Sequence, residues 1–317
     1  MRENIVFYSY KMNNHAHINE HEMKRFEHSI SSLREFNDEI SVYLFCDDPD
    51  YIPDYFRTEY RVKIRPFEQQ PSHGMLFIYR WFNLQYFDDA DVNILYVDSD
   101  VIFYDDVQYL FDHYNYAEVF GREEFGFRHD PNIGGGKTIR QSLDYVDKCI
   151  VEAGGKSHTY KYCCGVILFN NNLHLDIIDS LGELVELMCK LKDGKIPYPV
   201  PNLRIVDEYA FWIILSRIGA EGSLFGAQDV THGWIEPKHQ EFFNPVACHY
   251  TTKKEQIFAY SDEKYKNLIR DAAQLRAEID PWCVLSPIDH LPQEMIETMA
   301  EDNGIIAENV EDFEYEG

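Results

Sequence analysis

Cationic residues are scarce in this chain. Its 29 Lys and Arg stand against 55 Asp and Glu, for a formal net charge of -26 at pH 7. A general grip on nucleic acid needs a basic footprint, so that class of function is excluded. An acidic protein that handles an anionic ligand must instead bring a metal ion and a few local cations to it. Long apolar runs are also missing, and no stretch reaches the length needed to span a bilayer. The first residues, Met1-Arg2-Glu3-Asn4, lead into a short strand-like run and not into a signal peptide, so cytoplasm is the expected compartment. The seven cysteines form no CxxC pair and no His/Cys zinc spacing. With an odd count and apolar surroundings at Cys46, Cys164, Cys189 and Cys248, they read as buried thiols in a reducing compartment.

Several catalytic signatures are missing as well. No GxGxxG follows the first predicted strand, which argues against a dinucleotide fold, and no GxSxG elbow marks a serine hydrolase. Gly136-Lys137-Thr138 imitates the end of a phosphate-binding P-loop. Pro131 stands where that loop requires glycine, however, and no apolar strand precedes it. No internal repeat is present.

What the chain does have is apolar and aromatic mass: 45% hydrophobic and 15% aromatic residues, enough at 317 residues for a large core. Strands are predicted at Asn4 to Tyr10, Ile40 to Phe45, Arg61 to Phe67 and residues 93–97. A helix is marked by Met23, Phe26, Ile30 and Leu33, and another carries Tyr79, Arg80, Trp81 and Leu84. This β-α-β-β-α-β order predicts an α/β fold with a mostly parallel sheet, whose ligands gather beyond the carboxyl ends of the strands. Further on, 122–161 reads as a polar, Gly-rich loop with one helix near 139–152. Tyr162 to Asn170 reads as a buried strand, and one helix follows with Ile177, Leu181, Leu184, Met188 and Leu191. Val206 to Ile218 reads as a buried helix opening at Asp207-Glu208, and Val246 to Tyr250 as a short strand. The expected organisation is a catalytic domain over 1–260, a helical extension over 261–300 and an acidic, disordered tail over 301–317.

The most informative stretch is Asn93 to Phe103. An apolar run, Ile94 to Val97, ends in Asp98 and Asp100, and a second apolar run follows at once. Two acids one residue apart on an extended chain point the same way. Hard cations such as Mg²⁺ or Mn²⁺ are held by such oxygen ligands, with positions left for phosphate and water. Asp-x-Asp occurs three times, but Asp48-Asp50 and Asp89-Asp91 sit in turn chemistry beside proline or further acids. Only Asp98-Ser99-Asp100 is built into an apolar strand.

Taken in order, these pieces resemble the GT-A-fold glycosyltransferases, and most closely the family 8 type, which includes glycogenin and bacterial lipopolysaccharide galactosyl- and glucosyltransferases. Arg80-Trp81-Phe82-Asn83-Leu84 looks like the helix before the metal strand, and Ile94 to Asp100 like the strand itself. Cys163-Cys164-Gly165-Val166 resembles a strand that begins Asn-(Ala/Ser)-Gly-Val, with Cys163 in place of Asn. Asp207-Glu208 resembles an Asp-Gln pair at a helix start, with Glu in place of Gln. His249 resembles a late metal-binding histidine, followed here by Lys253 and Lys254 without the usual Gly-x-Lys-Pro. The resemblance spans residues 4–258.

It implies a metal-dependent transfer of a sugar from a nucleotide-diphosphate donor, a UDP-sugar, to an acceptor hydroxyl with retention. Asp98, Asp100 and His249 would hold Mn²⁺ or Mg²⁺, and Asp207 and Glu208 would face the reacting sugar. Arg80, Ser99, Lys253 and Lys254 would contact the donor, with Phe7, Ser9, Tyr10 and Asp47 beside its base or ribose. Glu208 also keeps inversion open, since a carboxylate can act as a base. Two other readings stay open. One is a nucleotidyltransferase of related fold, although Ser9-Tyr10-Lys11-Met12-Asn13 lacks that class's Gly-rich basic loop. The other is a non-catalytic nucleotide-sugar-binding module.

Overall fold

The computed structural model describes residues 2–12, 16–67, 79–123, 151, 160, 162–192, 206–226, 229–232 and 245–249. The expected helical extension and acidic tail lie outside these residues, as do Lys253, Lys254 and most of 122–161.

The strands are β1 (Glu3–Tyr10), β2 (Ser41–Cys46), β3 (Val62–Pro66), β4 (Val92–Val97), β5 (Val101–Phe103), β6 (Val119–Glu123), β7 (Tyr162–Phe169), β8 (Gly222–Leu224), β9 (Val230–His232) and β10 (Ala247–His249). The helices are α1 (Ala16–Phe36), α2 (Tyr55–Thr58), α3 (Tyr79–Phe82, running into a 3₁₀ turn, Asn83–Phe87), α4 (Gln108–His113), α5 (Leu173–Asp179), α6 (Leu181–Lys192) and α7 (Val206–Ile218). Seven strands form the main sheet in the order β3-β2-β1-β4-β7-β6-β8. Strands β3, β2, β1 and β4 run parallel, β7 runs against both β4 and β6, and β8 runs with β6. A smaller sheet is ordered β5-β10-β9.

Both faces of the centre of the main sheet are covered, which is why β2, β4 and β7 and the middle of β1 are mostly apolar. Along β1, Ile5 and Phe7 enter one core with Trp81, Leu84, Phe87 and the apolar α7. Val6 and Tyr8 enter the other with Met23, Phe26, Ile30 and Leu33 of α1. Trp81 stacks on Phe211 with ring centroids 4.3 Å apart and planes 6° from parallel, tying the short α3 to α7. Aromatic pairs of this kind add about 0.5–1.5 kcal/mol beyond the area they bury.

The helix expected to run through Ile177 and Leu191 is two helices, α5 and α6, separated at Ser180. The N–H of Ser180 donates to the carbonyls of Asp176 and Ile177, and its hydroxyl donates to the Asp176 carbonyl. A serine bonded back onto the preceding turn closes that turn instead of extending it. The two rejected Asp-x-Asp pairs are turns, as expected. Asp48 caps the N–H of Asp50, Ala90 donates to the Phe87 carbonyl, and Asp91 pairs with Arg2 at 2.7 Å. Cys46, Cys163, Cys164 and Cys248 are buried free thiols.

Candidate metal centre

Asp98 and Asp100 follow β4 at the edge where the parallel strands end. The chain turns there, with the Val101 N–H donating to the Asp98 carbonyl at 3.3 Å, and continues into β5. In the smaller sheet β10 pairs antiparallel with β5, and His249 lies opposite Val101. That register carries an imidazole from far along the chain to the two acids. Its Nε2 is 3.2 Å from Oδ1 of Asp100 and 3.8 Å from Oδ2 of Asp98. One ligand atom from each of Asp98, Asp100 and His249 lies within 4.8 Å of the others. Asp100 is 1% exposed and Asp98 31%, so the group is seated on the protein and open on one side.

Strand β7 organises the other half of the site. It runs antiparallel, so its first residues, not its last, arrive at this edge. Its pairing with β6 slips between Gly121 and Arg122, where Gly121 faces Ile167 and Arg122 faces Cys163. Such irregularities re-aim backbone groups beside functional sites. Residues 163–165 then meet four site residues. The carbonyl of Gly165 accepts the Asp98 N–H at 2.8 Å. The carbonyl of Cys164 accepts from Arg80 at 3.0 Å, and the Cys164 N–H donates to Oε1 of Glu208 at 3.0 Å. The thiol of Cys163 lies 3.4 Å from Nδ1 of His249.

Arg80 is not a solvated surface cation. It is 6% exposed, its guanidinium is 3.4 Å from Oδ1 of Asp98, and it lies over the Tyr96 ring at 5.3 Å. The Tyr96 hydroxyl donates to the same Asp98 oxygen. Burial drives the Tyr96 phenol well above its ordinary pKa, with the Asp98 carboxylate reinforcing and Arg80 opposing, so it stays a donor. Asp98 therefore keeps its orientation through two donors while Oδ2 faces His249.

The donor set suits a hard to borderline divalent cation, with two carboxylates and one imidazole. The backbone fits the same purpose. A Cβ on residue 165 would come 2.0 Å from Cε1 of His249, so glycine there opens the slot in which the ring sits.

No protein-family model matches the chain, and no curated protein sequence does. Solved structures do match. WbbM, a bifunctional glycosyltransferase, superposes with a TM-score of 0.51 at 12% identity, over 86% of this chain and 52% of that one. The fold is the GT-A glycosyltransferase fold. The chain spans about half the length of the WbbM structure. GlyE of Streptococcus pneumoniae matches with a TM-score of 0.48 and 16% identity, over 87% of this chain and 64% of that one. Mouse xyloside xylosyltransferase 1 matches with 0.47 and 11%, over 80% and 99%.

Asp98, Asp100, His249 and Arg80 meet beside the end of β4, with Glu208 joined to them through Cys164, and Ser9, Tyr10, Asp47 and Ser99 lie at the ends of β1, β2 and β4. Asp47 accepts the Met12 N–H at 2.9 Å, and Ser9 accepts from Asn83 at 2.8 Å. Phe7 does not belong with them. It is fully buried between the rings of Phe45, Phe87 and Tyr96, because its β1 position points into a covered face. Asp207 opens α7, and Lys253 and Lys254 lie outside the described residues.

Three contributors escaped sequence reasoning. Tyr96 carried a signal, since it lies two residues before Asp98 and so shares its side of β4. The backbone of 163–165 carried part of one in the Gly165 that the resemblance singles out. Glu22 carried none. It reaches from α1 to the Ser99 hydroxyl at 3.2 Å while pairing with Arg25 at 2.5 Å.

Proposed function

We propose that this protein is a metal-dependent glycosyltransferase that moves a sugar from a nucleotide-diphosphate donor, a UDP-sugar, to an acceptor hydroxyl with retention of configuration. The observation that carries this reading is the convergence of Asp98, Asp100 and His249 at the carboxyl edge of a GT-A sheet. The solved structures of this fold named above are themselves glycosyltransferases, which supports the same class.

Asp98, Asp100 and His249 would hold the ion, and the imidazole favours Mn²⁺ over Mg²⁺. A divalent ion supplies Lewis-acid stabilisation of the departing diphosphate. Arg80, tied to Asp98, limits the negative charge that the donor's phosphates would meet. Lys253 and Lys254, a few residues beyond His249, would add to that compensation. Ser9, Tyr10, Asp47 and Ser99 would border the base and ribose. Asp207 would hold hydroxyls of the donor sugar.

Glu208 is 9% exposed and anchored through Oε1 to the Cys164 N–H. An anchored carboxylate suits a fixed negative charge beside an electron-poor sugar ring. The acceptor's proton then passes to the departing diphosphate, and the product keeps the donor's configuration.

The test is calorimetric titration of UDP with and without Mn²⁺. Wild type should bind UDP more tightly with Mn²⁺, and Asp100→Ala should lose that dependence while keeping its unfolding temperature. Equal UDP affinity and equal metal dependence in the two proteins would remove the metal from this function.

A further inference from the structure

We propose that Cys163 is a positioning residue for His249, its sulfur accepting the Nδ1–H hydrogen bond and so holding the Nε2 lone pair toward the ion. The proposal rests on the metal reading of Asp98, Asp100 and His249 and deepens it.

A neutral imidazole has one N–H and one lone pair, and the partner of one nitrogen decides the state of the other. Nε2 is the nitrogen that faces the acids, at 3.2 Å from Asp100 and 3.8 Å from Asp98. Coordination through Nε2 places the ring proton on Nδ1. Metal-ligating histidines almost always give that second N–H to an acceptor, which fixes tautomer and ring orientation. Here the atom at Nδ1 is Sγ of Cys163, 3.4 Å away, with Cys163 4% exposed and His249 6%.

The backbone places both contacts. Cys163 and Gly165 are two apart on β7, so they share the face that meets His249. Gly165 gives the ring its slot, and the thiol stands at the Nδ1 end of that slot. The pairing slip that sets Cys163 opposite Arg122 fixes this arrangement. The resemblance to the family 8 type leads one to expect asparagine at position 163, so the sulfur is a particular property of this chain.

The experiment compares Mn²⁺ affinity, measured calorimetrically with no nucleotide present, in wild type, Cys163→Val, Cys163→Ala and Cys163→Ser. Unfolding midpoints of the metal-free proteins are recorded alongside. Valine and alanine remove the acceptor, and Mn²⁺ affinity should fall about tenfold to a hundredfold, as for other lost partners of this kind. Serine keeps an acceptor, and its affinity should stay within about threefold of wild type. If Cys163→Val does not fold, Cys163→Ala carries the same expectation. Wild-type affinity in a folded valine or alanine variant would overturn the proposal and leave the metal site standing. An equal loss in the serine variant would also overturn it, since packing and not hydrogen bonding would then be responsible. If wild type itself binds no Mn²⁺, the metal reading fails and this proposal fails with it.

Discussion

The Cα of Gly165 sits against the imidazole of His249. A methyl group added to residue 165 would lie 2.0 Å from Cε1, 2.3 Å from Nδ1 and 2.4 Å from Nε2. Two residues from distant parts of the chain thus share one volume, and the smaller must stay without a side chain for the other to serve.

Gly165→Ala follows directly. Residue 165 lies within β7, so alanine meets no backbone penalty there, and the strand persists. The ring of His249 must move, and Mn²⁺ affinity should fall at least about tenfold. Calorimetric titration with Mn²⁺, beside far-ultraviolet circular dichroism for the fold, checks this. Unchanged affinity would detach His249 from the metal centre.

Arg80→Ala should affect both binding and stability. The guanidinium is buried, faces Asp98 and donates to the Cys164 carbonyl. Removing it leaves those acceptors short of a donor, a cost of about 1–3 kcal/mol visible in urea unfolding. The donor KM should rise as well, because the acids then meet the phosphates without this cation. A variant with wild-type donor KM and reduced stability would make Arg80 a purely structural cation.

Glu208→Gln, read together with product stereochemistry, separates two chemistries. Glutamine keeps a carbonyl oxygen to accept the Cys164 N–H, so the fold should persist. If Glu208 contributes a fixed charge, kcat should drop about tenfold to a thousandfold. A general base would cost about as much or more, and the product would then have inverted configuration. Proton NMR of the first product made from an α-linked donor should show an α linkage. A β linkage would end the retaining reading.

Asp229→Asn addresses another buried carboxylate, on the residue just before β9. Asp229 is 7% exposed and accepts from the Tyr114 hydroxyl. Burial raises its pKa above the ordinary carboxylate value, against the lowering effect of its bond from Tyr114. The folded protein therefore holds this proton more tightly than the unfolded chain does. The stability this gives is full below the unfolded pKa and is lost as pH rises through the folded one. Asp229→Asn lacks that titration. Its melting temperature relative to wild type should increase with pH across the range just above ordinary carboxylates. A difference independent of pH would contradict the assignment.

The sequence shows the metal strand plainly because its apolar run stops at two acids and then resumes. It shows the pair of cores less well. Ile5, Val6, Phe7 and Tyr8 are all buried, since β1 is covered on both faces, and an unbroken apolar strand gives no sign of which side meets a ligand. That is why Phe7 was expected at the site and lies in the core. Arg80 could be read as a surface charge because nothing local shows that Asp98 and the Cys164 carbonyl will surround it. β5, β8, β9 and β10 are three residues each, too short for a period to register. The join of His249 to Asp100 depends on the pairing of β10 with β5. Only the resemblance to a known family anticipated it.

The antiparallel direction of β7 has one more consequence. β6 ends and β7 begins at the same edge of the sheet, with Glu123 paired to Tyr162. The two strand ends are thus neighbours in space, although residues 124–161 lie between them in sequence. Doubling the length of a flexible connection between two such points costs only about 0.6 kcal/mol of closure entropy. An insertion between Glu123 and Tyr162 should therefore change the melting temperature little, through closure entropy alone. The site beside Cys163 depends on the pairing of these two ends, and not on the length of chain that joins them.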